Sequence, residues 1–309
     1  MKQDYIYENN NQGLDLNDIF STLWRSKLLI VSITSVFAIL SVIIALILPN
    51  KYTSSTLLVP VAQEDSLSSR LGGFSSLAGL AGVSLPSESS SKSKEAIERI
   101  KSFQFFSSYF LPNIKLENIT AVKKWDQNNN KLIYDEKLFD EKTGKWKESK
   151  PSTQEAFKIY SEILGISQDK LTSFVGMSIE HHSPYIAQEW VNIIIYEINE
   201  SMRKLDADQA QKSIEYLNNT SSTTNIQSIR DVIAKLLEEQ IQTLMFSESS
   251  ESYVFKVIDS PIAPEKKSKP SRAIICILGT FLGFLISLVV VFFRELAMNN
   301  RNDMHASPN

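Results

Sequence analysis

The sequence predicts an α+β protein in which one mixed α/β outer domain carries a long projecting helical hairpin and is flanked by two transmembrane helices. Three observations lead there. Leu28 to Leu48 and Ala273 to Phe293 are uncharged runs of 21 residues, bounded by Lys27 and Lys51 and by Arg272 and Arg294. Two stretches near 184–218 and 226–246 repeat apolar residues with helical period, and three runs near 52–61, 172–180 and 253–258 are rich in β-branched residues.

A helix of 21 residues is about 32 Å long, which matches a hydrocarbon core of about 30 Å. The chain of 309 residues therefore divides into a tail at 1–27, a first span at 28–48, an outer domain at 49–272, a second span at 273–293 and an end at 294–309. The apolar stretch of the first span is too long for a cleavable signal, and Leu48-Pro49-Asn50-Lys51 offers no small-x-small site. Arg25 and Lys27 ahead of the first span favour an inside N-terminus, although Lys266, Lys267, Lys269 and Arg272 crowd the outer side of the second. Both tails are expected inside and the loop outside.

The outer domain holds 27 Lys+Arg and 29 Asp+Glu, so no basic stripe points to nucleic acid. The chain's single cysteine, Cys276, lies in the second span, which excludes a disulfide within the outer domain. Stability there must come from packing or assembly.

Along the outer domain, Tyr52 to Val61 reads as a strand leaving the membrane. Ser66 to Ser93 is rich in Ser, Gly, Leu and Ala; either it is a plain loop, or Gly72, Gly73, Phe74, Leu77 and Leu80 form a surface that docks on a neighbouring subunit. Lys94 to Phe110 reads as a helix ended by Leu111-Pro112. Trp125 to Lys150 suggests a β-hairpin insertion with a turn at Thr143-Gly144, and Ser152-x-x-Glu155 is a capping box opening a short helix that ends near Gly165. Leu171 to Glu180 is a strand. From Pro184, apolar residues at 187, 191, 194, 198, 202 and 205 define a helix to about Asn218, and a polar turn with its tip at Thr220 to Thr224 leads into a second helix to about Phe246. Antiparallel pairing of the two gives a hairpin over about 184–246. Tyr253 to Ile258 is the last strand before Pro261, Pro264 and Pro270.

Catalytic motifs are missing. There is no phosphate loop, no His-Glu-x-x-His, no Cys-x-x-Cys and no Gly-x-Ser-x-Gly. His181 and His182 are adjacent on a strand, so they face opposite sides and do not readily chelate one metal. The pair Glu238-Glu239 sits on a charged helix face. No catalytic, cofactor or metal residue is expected.

The residues Pro261-x-x-Pro264-x5-Pro270, Gly279-x3-Gly283 in the second span, Glu180-His-His-Ser-Pro184-x-x-Ala187-x-x-Trp190, the Gly/Ser/Leu/Ala segment at 72–83 and Tyr253-Val-Phe-Lys-Val-Ile-Asp259 together resemble the chain-length determinant (Wzz) family of polysaccharide co-polymerases. Two departures stand out: the family's Ser-Pro-Lys reads Lys269-Pro270-Ser271, and position 287 holds Ser rather than Gly. The prolines are expected to stiffen the approach to the second span. Gly279 and Gly283 are expected to admit a neighbouring helix, from the first span or another subunit.

The resemblance implies a non-enzymatic, two-pass protein of the bacterial inner membrane whose main domain lies in the periplasm. As a homo-oligomer in membrane lipid, it sets the modal length of a surface polysaccharide such as O-antigen, working with a separate membrane polymerase and its lipid-linked polysaccharide, without a cofactor. The alternatives are a capsule or exopolysaccharide co-polymerase served by a separately encoded tyrosine kinase, a two-span sensor and a periplasmic hydrolase. The 16 residues from Arg294 onward are expected to leave no room for a fused kinase or sensor output.

Overall fold

The computed structural model describes residues 23–61 and 88–305. The chain divides into two compact units, Met1–Pro49 with Lys269–Asn309, and Asn50–Ser268. Its first described helix, α1 (Lys27–Ile47), belongs to the former.

In the Asn50–Ser268 unit, strand β1 (Tyr52–Pro60) is followed by α2 (Glu88–Ile100). Ser93, Ala96, Ile97 and Ile100 recur at helical spacing on the buried face of α2. The single helix expected over 94–110 is broken at Ser102, whose extended backbone (ψ 150) begins a new turn. The Ser102 hydroxyl donates to Arg99 O (2.7 Å) and accepts from Phe105 N (3.1 Å), so the side chain competes with the helical ladder and wins. A run of irregular helical turns follows, Phe103–Phe105, Phe106–Phe110 and Leu111–Asn113.

After α3 (Leu116–Thr120), the expected insertion is two hairpins: β2 (Val122–Asp126) with β3 (Lys131–Tyr134), and β4 (Phe139–Asp140) with β5 (Lys145–Trp146). Gly144 takes a left-handed φ of 66° in the second turn. The capping box forms as expected, Ser152 Oγ accepting from Glu155 N and Glu155 Oε2 from Ser152 N, and opens α4 (Thr153–Ile163).

One strand was not anticipated. The chain passes directly from α4 into β6 (Leu164–Gln168), so Gly165 is a strand residue rather than a helix terminus. A β-carbon on Gly165 would stand 2.6 Å from Ser178 Oγ, so the glycine serves close strand approach. The turn after β6 is held by Asp169 Oδ1, which accepts from Leu171 N and Thr172 N, and this delays β7 to Val175–His181.

The long helix α5 (Pro184–Thr223) has 40 residues, about 60 Å. It outruns the expected end at Asn218 because the hydroxyls of Thr220, Ser222 and Thr223 donate back to carbonyls three or four residues earlier, supporting the last turn instead of capping a new helix. Helix α6 (Gln227–Ser249) follows three residues later, with Ile226 at its N-cap and no side-chain cap. β8 (Phe255–Asp259) completes an antiparallel sheet in the order β6-β7-β1-β8.

The core lies between the sheet, α2, α4 and the first half of α5. Val175, Met177 and Ile179 alternate inward from β7 to meet Trp190, Val191, Ile194 and Ile198. Phe106, Phe110, Tyr160 and Trp190 form a chain of contacting rings with centroids 5.0 to 6.0 Å apart. Tyr160 donates its hydroxyl to Ile100 O (2.9 Å), and burial pushes that phenol well above its usual range. Buried Asn199 ties α5 to β8, its Oδ1 accepting from Val254 N and Phe255 N and its Nδ2 donating to Phe255 O.

The last helix, α7 (Arg272–His305), lies in the same unit as α1. Lys27–Ile47 and Arg272–Arg294 are both long and apolar enough to cross a membrane. The α+β architecture with its long helical hairpin is the one the sequence predicts.

Candidate functional site, the proline approach and the small-residue seam

Below Leu57 the pairing of β1 with β8 ends, and the chain after Asp259 continues without regular structure through Pro261 and Pro264. Side chains replace the lost ladder. Thr56 Oγ1 donates to Asp259 O (2.6 Å), Ser54 Oγ to Ile262 O (2.8 Å) and Gln188 Nε2 to Pro261 O (2.9 Å). Lower still, Ser268 N and Ser268 Oγ both donate to Lys51 O, at 2.9 and 3.0 Å, and Thr53 Oγ1 donates to Ser268 Oγ. Proline has no N–H and a fixed φ, so a segment built on it must be held by its carbonyls. The inward Ser54 and Thr56 of β1 supply what a backbone partner would have given.

The same end of the sheet is polar on its other edge. Lys51 Nζ pairs with Glu180 Oε1 at 2.9 Å, and His182 Nδ1 donates to Asn50 O at 3.1 Å. His181 is buried, its Nδ1 accepting from Ser183 N (3.0 Å) and its Nε2 donating to Asn118 O (2.9 Å). Burial lowers its pKa to about 4, against a smaller opposing effect of the Asn118 carbonyl and with the neighbouring His182 adding to the fall. The ring is neutral and both its nitrogens are engaged, so it orders the β7 to α5 corner. His182 is also lowered, chiefly by burial. Among the described residues no group of three or more His, Cys, Asp or Glu is placed to hold a metal ion.

In the other unit, α1 and α7 pack through small residues. Gly279 faces Ser41, so closely that an added β-carbon would overlap the Ser41 β-carbon and stand 3.0 Å from its Oγ. Gly283 faces Phe37, with the ring carbon Cγ 2.9 Å from where a β-carbon would lie. Ser41 and Ala45 on α1, and Gly283, Ser287 and Val291 on α7, are buried at four-residue intervals, which is one face of each helix. The seam hydroxyls are satisfied locally: Ser41 Oγ donates to Ala38 O and Ser287 Oγ to Phe284 O. Arg272 Nε donates to Ala45 O at 3.2 Å, covering a carbonyl in the last turn of α1. The partner of Gly279 and Gly283 is thus the chain's own first apolar helix.

Of the residues singled out in the sequence, Pro261 and Pro264 fall in the Asn50–Ser268 unit, and Pro270, Gly279 and Gly283 in the other. Gly72, Gly73, Phe74, Leu77 and Leu80 lie outside the described residues. Sequence reasoning missed Ser54, Thr56, Gln188 and Ser268, which hold the proline segment, and Phe37 and Ser41, which receive the glycines. The run of four hydroxyl residues, Thr53 to Thr56, in the first half of the strand was the available signal for Ser54 and Thr56.

The described residues thus hold two helices apolar and long enough to cross a membrane and, between them in sequence, an α+β unit with a helical hairpin. Residues 12–110 match the family described as "Chain length determinant protein" (Wzz), and residues 221–296 match "G-rich domain on putative tyrosine kinase". These two partial matches support the resemblance to the chain-length determinant (Wzz) family of polysaccharide co-polymerases. Among solved structures, a "full-length bacterial polysaccharide co-polymerase" is similar at 15% identity and TM-score 0.41, over 92% of this chain and 99% of that one. A "Fragment of WzzB, Polysaccharide Co-polymerase from Salmonella Typhimurium" is similar at 15% identity and TM-score 0.31, over 71% of this chain and 100% of that one. No curated protein matches the chain.

Proposed function

We propose that the protein is an inner-membrane scaffold that sets the modal chain length of a surface polysaccharide, lipopolysaccharide O-antigen, for a separate polymerase. The observation that carries this is the match of residues 12–110 to the chain length determinant family. In this reading α1 and the apolar part of α7 cross the membrane, both tails lie in the cytoplasm and the domain at 49–272 lies in the periplasm. The protein acts as a homo-oligomer, without catalysis or cofactor, through shape and association. Pro261, Pro264 and Pro270 stiffen the approach to the second span, Gly279 and Gly283 fix the span pair, and Gly72, Gly73, Phe74, Leu77 and Leu80 form an oligomer contact.

A second reading is supported by the match of residues 221–296 to the G-rich domain described on tyrosine kinases. Here the polysaccharide is a capsule or exopolysaccharide and the partner a separately encoded kinase.

Deletion of the gene followed by electrophoresis of surface lipopolysaccharide tests the first. The expected result is loss of a modal band cluster with polymer still made; an unchanged ladder together with altered capsule length favours the second. Replacing Gly279 and Gly283 with Leu is expected to erase modality while the protein still inserts, because each side chain would force α1 and α7 apart. Phosphatase fused near residue 150 is expected to be active and near residue 305 inactive, and the reverse would overturn the orientation.

A further inference from the structure

The first half of α5 buries one face and presents another. Tyr185, Glu189, Asn192 and Tyr196 are exposed at intervals of four, three and four residues, one straight stripe opposite the core. They line a groove of about 560 Å³ that shares Asn113 and Glu189 with an adjoining groove of about 440 Å³ reaching Asn118 and Tyr134. The two tyrosines are 53% and 66% exposed and, eleven residues apart, are separated by about 16 Å along the helix.

We propose that this stripe binds a neutral, hydroxyl-rich oligosaccharide segment, with Tyr185 and Tyr196 as stacking platforms and Glu189, Asn192 and Glu197 as readers of hydroxyl groups; the proposal rests on the polysaccharide reading above. The chemistry is that of the ligand. A sugar ring offers an apolar C–H face edged by groups that both donate and accept, so its site needs flat aromatic surfaces beside amides and carboxylates. Trp125 packs edge-on against Tyr185, with ring centroids 6.0 Å apart, and fixes the first platform. Asn113 Nδ2 donates to Glu197 Oε1 at 3.0 Å and to Tyr109 O, so Glu197 is held with one carboxylate oxygen to spare. Glu189 and Asn192 make no hydrogen bond or ion pair among the described residues.

Charge selects among glycans. Two carboxylates line the groove, and the cation among the lining residues is Lys115 in the adjoining one. A uronate or phosphate-bearing chain lying along the tyrosine stripe would meet like charge at Glu189 and Glu197, with Lys115 only in the adjoining groove. The groove on the hairpin differs: Leu205, Leu236 and Tyr216 line it, and its Lys212 already pairs with Asp208 at 2.6 Å.

The test uses the full chain in detergent micelles, titrated with neutral oligosaccharides released from the producing cell's own surface polysaccharide and, separately, with polygalacturonate, read by saturation-transfer NMR. The neutral probe is expected to bind, and Tyr185→Ala with Tyr196→Ala to weaken it about tenfold or more. Tyr196→Phe, which keeps the ring, should stay within about twofold, and Tyr216→Ala should bind as the parent does. No binding of the neutral probe, equal binding of polygalacturonate, full binding by the double variant, or a changed oligomeric mass in that variant would each overturn the site, the last by making this face a contact between copies. If deletion of the gene erases modality while the double variant binds and regulates normally, the site falls and the co-polymerase reading stands. If deletion leaves polysaccharide length unchanged, that reading falls whatever the binding shows.

Discussion

Residues 184–202 and 203–223 belong to one unbroken helix, yet they live in different surroundings. The inner half buries Ala187, Trp190, Val191, Ile194, Ile195, Ile198, Asn199 and Met202, while in the outer half Ala210 alone is buried. Helix α6, which pairs with that outer half, buries Ile233 and Ser247 and leaves Val232, Leu236, Ile241 and Met245 exposed. The inner half packs its apolar face on the sheet and α2, whereas the outer half reaches the body through polar contacts at its start, Asp206 with Lys92 of α2 and with the Tyr253 hydroxyl. Helical period reports that a face is apolar; what covers the face is a tertiary fact. Folding free energy is therefore concentrated in the inner half, and the outer half is free to serve as surface.

The largest effect expected from this contrast is at Trp190, which is fully buried against Phe110 and His181. Trp190→Ala should cost about 4 kcal/mol, since a large cavity would open among side chains that cannot close it. Chemical denaturation of the full chain in detergent, followed by circular dichroism, would read this as a lower midpoint. A loss no larger than that of a hairpin surface variant would break the comparison.

His181 sharpens the comparison through pH. Its folded pKa is about 4, below the ordinary value of 6.5, so between these two pH values the unfolded chain takes up a proton the folded chain refuses. Stability from this group is complete above pH 6.5 and declines as pH falls, by about 3 kcal/mol on reaching pH 4, where the loss ends. His182, lowered in the same direction, adds to the slope. His181→Gln should flatten the stability profile in this window relative to the parent. An unchanged slope would mean that the neutral, buried ring at the base of α5 is not what couples this end of the fold to protons.

How much was legible follows the same division. The first apolar helix, the capping box at Ser152, the strands at 52 and 253 and both helices of the hairpin rest on local pattern, and local pattern gave them to within a few residues, whereas the last helix runs on to His305, past the expected end at Phe293. Strand β6 was hidden because Gly165 is read locally as a helix stop, whereas its role is set by Ser178 across the sheet. The break at Ser102 was hidden because a hydroxyl in a helical pattern is ambiguous until its partners are known. Gly279 and Gly283 could be named from spacing, but Ser41 and Phe37, which give them meaning, come from the other end of the chain.

The smallest expected effect is the one that tests the contrast most directly. Val232 is 56% exposed on α6, and truncating an exposed side chain with no cap, charge pair or buried partner changes stability by about 0.5 kcal/mol or less. Valine is also a weaker helix former than alanine, which offsets part of even that loss. Val232→Ala should therefore leave the denaturation midpoint of the detergent-solubilised chain nearly unmoved. A shift comparable to that of Trp190→Ala would mean that something other than this chain covers the outer hairpin in the sample, and a dependence of that shift on protein concentration would identify the cover as a second copy. Absence of any shift at every concentration would leave the outer half as free surface, and the helix as one element whose inner turns fold the protein and whose outer turns do not.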